Sequence, residues 1–369
     1  MLLIVSALAF FFLITGLILI HEFGHFIAAR RAGIVVEEFG FGLPPKAKKL
    51  FTWQGTAFTL NWIPFGGFVR LKGENEEEAG KKSKGSFAHA SILTRCVILT
   101  AGVAMNFLLA IFIFLFGFSY GQWIPTYLTL EEMQSAADRG DIHMELGVVI
   151  DDVLAGGGAE EAKIPKGSIL ISIDGKSVQK PGDVVTFQEG KRRATYAYVP
   201  SGSTGAQVTT VVRVDQGKTG IYLRTIPLEL SAPKRNIVDA AVLSVRETAV
   251  VTTQTVLGIG RLFGSLAQSG QVPAGVTGII GIAQLTYTSV QEGFIVYLRL
   301  VALLSLSLAV LNILPFPALD GGRLIFVLSE IFVKPGNRRI EAITNAIGFA
   351  VLIILILIVT FYDVFRLFR

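Results

Sequence analysis

The chain places His21-Glu22-Phe23-Gly24-His25 directly behind twenty residues that carry no charged side chain. A helical run of that length is enough to cross a bilayer. Each ionisable group at membrane depth costs roughly 2.5 kcal/mol or more on insertion scales, so three together call for a purpose. The i, i+4 spacing stacks both imidazoles on one helix face with Glu22 beside them. That pattern lets one helix supply two zinc ligands and a general base to a hydrolase. Its place in an apolar run points to peptide bonds cut within the membrane.

The 369 residues are 51% hydrophobic and 17% charged, and the mean hydropathy of +0.59 exceeds that of an ordinary soluble protein. The apolar residues fall in blocks, as membrane spans do. The net charge of +5 is modest, its location matters more than its size, and no nucleic-acid partner is expected. A single cysteine, Cys96, excludes an intrachain disulfide and a CxxC metal site. The first apolar run has no basic n-region and no small-residue cleavage site before His21, and is expected to be a retained span.

Four spans are expected, at about Leu2 to Ala29, Val97 to Phe118, Ile295 to Leu319 and Ile343 to Phe365. The last is almost pure Ile, Leu and Val. Arg30, Arg31, Lys46, Lys48, Lys49, Arg70, Lys72, Lys81, Lys82 and Lys84 follow the first span, and Lys334, Arg338 and Arg339 precede the fourth. By the positive-inside rule these connections are cytoplasmic and both termini lie outside, against which the terminal Arg366 and Arg369 weigh slightly.

Zinc usually takes a third protein ligand and leaves one position to water. Asp320, in Asn312-Ile-Leu-Pro-Phe-Pro-Ala-Leu-Asp-Gly-Gly-Arg323, is the residue of a later span that fits. Pro315 and Pro317 interrupt the helix, and Gly321 and Gly322 permit a turn and close approach. Irregular backbone at membrane depth persists only where protein or a wet cavity surrounds it. His21 lies nine residues before Arg30, roughly 13 Å along a helix, so both motifs approach the cytoplasmic leaflet. His89 and His143 have no partner at ligand spacing, and Asn106 suits interhelical hydrogen bonding.

Between the spans, Phe58 to Leu71 (FTLNWIPFGGFVRL) suggests a β-hairpin with Pro64 at an edge or turn. The acidic and basic run from Glu74 to Lys84 suits a solvated loop. Residues 142–230 alternate short β-branched runs with Gly, Asp and Pro turns, as a small β-rich domain does. Residues 236–291 suit amphipathic helices on the domain or membrane surface, with a Gly-rich stretch from Val272 to Gln284.

HEFGH near the start and NILPFPALDGG in a late span resemble the site-2 protease family of intramembrane zinc metalloproteases, of the bacterial RseP type. Gly40-Phe41-Gly42, Gly66-Gly67-Phe68-Val69-Arg70 and Gly278-Ile-Ile-Gly-Ile-Ala283 also resemble segments of that group, and the likeness spans nearly the whole chain. It implies one zinc ion per chain on His21, His25 and Asp320, with Glu22 as base. It implies a membrane-reentrant β-loop that pairs with an extended substrate through Phe65, Gly66, Gly67, Phe68 and Val69, and an Asn312 that helps hold it. Equally, Asn312 suits hydrogen bonding to backbone freed by Pro315. Leu146-Gly147-Val148-Val149 resembles a PDZ peptide-binding edge, and Ala159 to Val178 a later PDZ signature, with Ser168 where Asp is common. Ala101-Gly102-Val103-Ala104-Met105-Asn106-Phe107 departs from the family in having Val103 where Pro is usual.

The expected fold is an α-helical polytopic membrane protein with about four transmembrane helices, a reentrant β-loop and an inserted β-rich PDZ domain. Its expected divisions are a first span (1–30), a cytoplasmic connection with the β-loop (31–92), a second span (93–120) and an extracytoplasmic PDZ domain (125–232). An amphipathic connection (233–292), a broken third span (293–330), a cytoplasmic loop (331–342) and a fourth span (343–369) complete it. The expected substrates are single-span proteins trimmed by an upstream protease, such as anti-sigma factors, or remnant signal peptides. The expected home is the lipid of a bacterial cytoplasmic membrane. A membrane metal-ion transporter and a catalytically silent PDZ scaffold are the rival readings. The first needs ionisable groups along several spans, the second no intact motifs.

Overall fold

The computed structural model describes residues 1–74, 84–203, 205–273, 275–332 and 338–367, with the side chains of 338 and 339 left out. Most of the run from Glu74 to Lys84, with Lys81 and Lys82, lies outside the described residues, as do Lys334 and Arg369. The chain forms two compact units, one of residues 1–121 and 235–369, the other of residues 122–234.

The first unit opens with α1 (Leu2–Arg31), which Gly33 follows at φ +74°. A hairpin of β1 (Val36–Trp53) and β2 (Thr56–Leu71) comes next, closed by Gln54 and Gly55 at φ +47° and +86°. That pair of left-handed residues is the tight turn that suits strand twist. The hairpin is longer than Phe58 to Leu71, because the polar, Pro-containing half of β1 carries no clear alternation. Its register folds it twice. Residues 36–41 pair with 67–71 on one side and 38–41 also with 57–60 on the other, while 46–53 pair with 56–61. Pairing lapses from Pro64 to Gly66 (φ +76°), so Pro64 sits at a turn as expected. Glu38 is buried in the fold and pairs with Arg70 and, at 3.6 Å, Lys46, and it accepts from Thr59 Oγ1 at 2.7 Å.

Next, α2 (Ile92–Tyr120) is capped by Ser91, whose side chain accepts from Thr94 N. Small residues bring α1 and α2 together: a Cβ on Gly24 would meet the Ala101 carbonyl. Between apolar helices in lipid, such close contact replaces the hydrophobic drive of water. Asn106 is fully buried; its main-chain carbonyl accepts from Ser305 Oγ at 2.8 Å.

In the second unit, α3 (Leu130–Asp138) precedes β3 (His143–Val153), the short α4 (Gly158–Glu161), β4 (Ile169–Ile173) and β5 (Lys176–Ser177). Then come α5 (Pro181–Gln188), β6 (Arg193–Val199), β7 (Val208–Arg213) and β8 (Ile221–Ser231). The sheet runs β7-β6-β4-β3-β8, with β5 paired to β4. Asp174 and Gly175, at φ +49° and +78°, close the β4–β5 turn. Val148, Ile150, Leu170, Ile173, Val184, Tyr196 and Val212 share its core. Tyr196 donates its hydroxyl to Gln188 Oε1 at 2.5 Å, and burial pushes that phenol up to about 12.

The expected peptide edge at Leu146-Gly147-Val148-Val149 is already paired on both sides over its second half. β3 lies inside the sheet: Leu146 to Val149 face β8 throughout, and Val148 and Val149 also pair with Leu170 and Ile169. Val148 and Val149, paired on both sides, have no backbone groups left for an added peptide, while Leu146 and Gly147 pair on the β8 side. Gly147, Val148 and Val149 are buried and Leu146 is half-buried, and Gly147 lies against Leu228.

The first unit resumes with α6 (Ile237–Ser269), α7 (Ile279–Glu292), α8 (Phe294–Ile313), α9 (Asp320–Ser329) and α10 (Arg338–Leu367). Among the described residues, four helices, α1, α2, α8 and α10, are long and apolar enough to cross a membrane. The third ends at Ile313 rather than Leu319, because Pro315 and Pro317 supply no N–H to continue it. The fourth is not purely apolar. Asp363 on α10 accepts from the Gly278 and Gly281 N–H groups at 2.8 and 2.9 Å, holding the start of α7, and Arg366 donates to the carbonyls of Val272, Pro273 and Val276.

Candidate metal centre

His21 and His25 project from α1, one turn apart and both buried. Asp320 opens α9 after the broken stretch 314–319. That stretch is held by its neighbours. Asn345 of α10 accepts from Ala318 N at 3.1 Å, where Ala318 has φ +73°. A Cβ on Gly321 or Gly322 would run into the carbonyls of Ile313, Leu314 and Phe316, so only glycine lets α9 fold back so tightly.

The three side chains converge. His21 Nε2 and His25 Nε2 lie 2.8 and 3.2 Å from Asp320 Oδ2 and 3.2 Å from each other. His25 Nδ1 donates to the Ile98 carbonyl at 2.8 Å, which leaves a lone pair on its Nε2. Lone pairs of two imidazoles and a carboxylate aimed at one point repel unless a cation stands among them. Donors about 2.0–2.1 Å from a tetrahedral zinc stand roughly 3.3 Å apart, close to the spacings here. The donor set and its geometry therefore fit zinc, and among the described residues it is the one group of His, Cys, Asp and Glu able to hold a metal.

Gly102 of α2 closes the back of this cluster: a Cβ there would stand 2.5 Å from His25 Nε2 and 2.8 Å from the His21 ring. Two cavities open beside it. One, about 150 Å³, is lined by Glu22, His25, Phe68, Val69, Leu71, Glu74, Ile98, Leu99, Asp320 and Arg323. The other, about 280 Å³, is lined by Ile18, His21, Glu22, Leu308, Asn312, Ala318, Leu319 and Asp320. Glu22 borders both.

The structure thus brings His21, Glu22, His25, Asp320, Asn312, Phe68 and Val69 to one place. Phe65, Gly66 and Gly67 stand apart from the cavity walls and pack along α1, Phe65 edge-on to Phe11 at 5.5 Å, Gly66 by Ile18 and Gly67 by Leu19. Gly102, Asn345, Glu74 and Arg323 are further participants. Glu74 was hidden in a run that suits a solvated loop, and Asn345 in a span that looks purely apolar. Only Arg323, adjoining Asp-Gly-Gly, carried a local signal.

The profile of Peptidase family M50 matches residues 9–355 of the chain. A Fusobacterium nucleatum protein with a provisional zinc metalloprotease name is 30% identical over 360 residues, 96% of each chain. Zinc metalloprotease RasP of Geobacillus kaustophilus is 26% identical with 98% of each chain covered. That of Oceanobacillus iheyensis is 28% identical with 98% and 99% covered. Membrane-length helices, a zinc-compatible cluster and a match over nearly the full length lead to one assignment: the chain is a multi-pass membrane zinc metalloprotease of peptidase family M50, the site-2 protease family.

Proposed function

We propose that the chain is an endopeptidase acting on transmembrane segments of single-span proteins already shortened by another protease, anti-sigma factors among them, or on remnant signal peptides. One observation carries the reading: His21, His25 and Asp320 from distant parts of the chain meet within 3.2 Å beside Glu22. His21, His25 and Asp320 would hold zinc, which when bound polarises a carbonyl and lowers the pKa of water to about 7. Glu22, on both cavity walls, takes the proton of the attacking water and passes it to the leaving amine. His25 is oriented for its role by Ile98.

A helix hides its own peptide bonds, so the substrate must unwind first. Residues 67–71 pair with β1 on one side, and Phe68, Val69 and Leu71 face the 150 Å³ cavity. Added beside them, an extended substrate finds partners for its bared backbone. Asn312, across the 280 Å³ cavity, is placed to bind it. The hairpin's exposed Trp62, Phe51 and Trp53 with Lys46, Lys48 and Lys49 suit a loop that dips into the cytoplasmic leaflet. The unit 122–234 is read as an extracytoplasmic PDZ domain that filters bulky substrates, in a bacterial cytoplasmic membrane with both chain termini outside.

The test uses purified protein in detergent and a single-span reporter. Glu22→Gln is expected to keep its zinc and lose cleavage by about 10²-fold or more. Asp320→Asn is expected to lower zinc occupancy. Full cutting by the first variant removes Glu22 from the mechanism, and unchanged zinc in the second removes Asp320 from the ligand set.

A further inference from the structure

A substrate laid along 67–71 is cut at whichever bond stands beside Glu22. The offset between that edge and the His21–His25–Asp320 cluster therefore selects the bond. Pairing between β1 and β2 holds the hairpin together but does not tie it to α9. Alternation of side chains is no guard either, since a slip of two residues, about 7 Å, keeps every side chain on its face.

Leu71 shares an apolar core with Val327 of α9, a contact that sets no exact offset, and Glu74 adds a directional polar link between the same two elements. It lies three residues past β2, after Gly73 turns the backbone at φ +70°. Its Oε2 accepts from the Leu71 N–H at 3.0 Å, and its Oε1 lies 2.6 Å from the Arg323 guanidinium. Arg323 follows Asp320 by one helical turn, on the same side of α9. Both ends are anchored. The Arg323 guanidinium lies 6.0 Å over the Phe87 ring, and Phe87 N donates to the Lys72 carbonyl at 2.9 Å. The pair is 19% and 29% exposed, and both members line the cavity that holds Glu22, His25 and Asp320. Solvent screens it less than a surface ion pair.

We infer that Glu74 is a positioning residue that, through Leu71 and Arg323, holds the edge 67–71 at a set offset from Asp320 and so selects the peptide bond that is cut. The inference rests on the peptidase reading above. The experiment compares wild type, Glu22→Gln, Glu74→Ala, Glu74→Gln and Glu74→Ala/Arg323→Gln, all full-length in detergent. Zinc content, kcat/KM on a single-span reporter and product masses are read for each.

Glu74→Ala is expected to keep its zinc, to lose about tenfold in kcat/KM, and to release products cut at bonds flanking the wild-type one. Glu74→Gln keeps an acceptor for Leu71 and is expected to restore the single cut in part. The double variant is expected to be no worse than Glu74→Ala, because both substitutions break the same tie. A wild-type rate and a single cut in Glu74→Ala would overturn the inference, as would zinc loss in that variant or additive losses in the double. Wild type no more active than Glu22→Gln would overturn the peptidase reading itself. Cutting by wild type and not by Glu22→Gln leaves only the Glu74 inference at stake.

Discussion

A methyl group at Gly102 would stand 2.5 Å from His25 Nε2, inside any normal contact, with His21 Cε1 and Nε2 at 2.8 and 2.9 Å. α2 presses its backbone there because His21 and His25 need a wall that takes no space. Gly102→Ala must displace one imidazole or part α1 from α2. Its expected outcome is a fall of about tenfold or more in zinc affinity, measured by chelator competition, while the chain stays folded by circular dichroism. Gly24→Ala, which meets backbone at Ala101 rather than an imidazole, serves as the packing comparison. Of the site residues, those with chemistry of their own were legible: two histidines at i, i+4, an acid between them and an acid in a broken span. Gly102 acts by lacking a side chain, and nothing local marks it out from its neighbours.

At the scale of elements, the breaks matter as much as the helices. α8 stops at Ile313 and α9 starts at Asp320, and the six residues between them aim the acid at α1. Pro315, Pro317, Gly321 and Gly322 make that break readable in advance. The partner that steadies it, Asn345, is set by how α10 packs and was not readable. Asp363 plays a similar part at the start of α7. Asp363→Ala leaves the Gly278 and Gly281 N–H groups without their acceptor, at a cost of about 1–3 kcal/mol. The expected outcome is faster amide exchange confined to the start of α7, read by hydrogen–deuterium exchange, with zinc content unchanged. The hairpin gives the converse lesson. Its aromatic half was legible as strand, but its double-backed register was not, because residues 38–41 find two partners only once β2 has bent at Pro64–Gly66.

At the scale of the molecule, the two units answer different physics. The unit of 122–234 has a sheet and a buried core and should titrate as a small domain does. Lys191, 2.6 Å from Asp174, and the Thr195 N–H hold the Asp174 carboxyl below its ordinary range. A depressed carboxylate stabilises the fold fully above its unfolded pKa, about 3.9, and that contribution fades as pH falls through the lower folded value. Asp174→Asn is therefore expected to melt earlier than wild type at neutral pH, with the difference shrinking as pH falls through the lowered folded value. Near-UV circular dichroism of the full chain between pH 7 and 3 checks the trend. In the other unit several ionisable groups outside the motifs are occupied. Arg95 pairs with Glu330, Arg299 reaches Glu247 at 3.4 Å, and Asp363 holds backbone. Committed to packing, these groups supply no ion path, which disfavours the transporter reading.

The sequence alone determined whatever depends on residue type and near spacing. Charge placed in an apolar run is costly wherever it lies, and that cost made His21, Glu22, His25 and Asp320 stand out without coordinates. Helix-breaking residues likewise act on their own few neighbours. The tertiary structure alone decided what depends on approach between distant segments. Such facts are that β3 is interior and not an edge, that Gly102 backs the imidazoles, and that Glu74 ties the hairpin to α9. Each is a relation between surfaces of two elements, and pairing on both faces of a strand or contact across a helix crossing leaves no trace in the local order of residues.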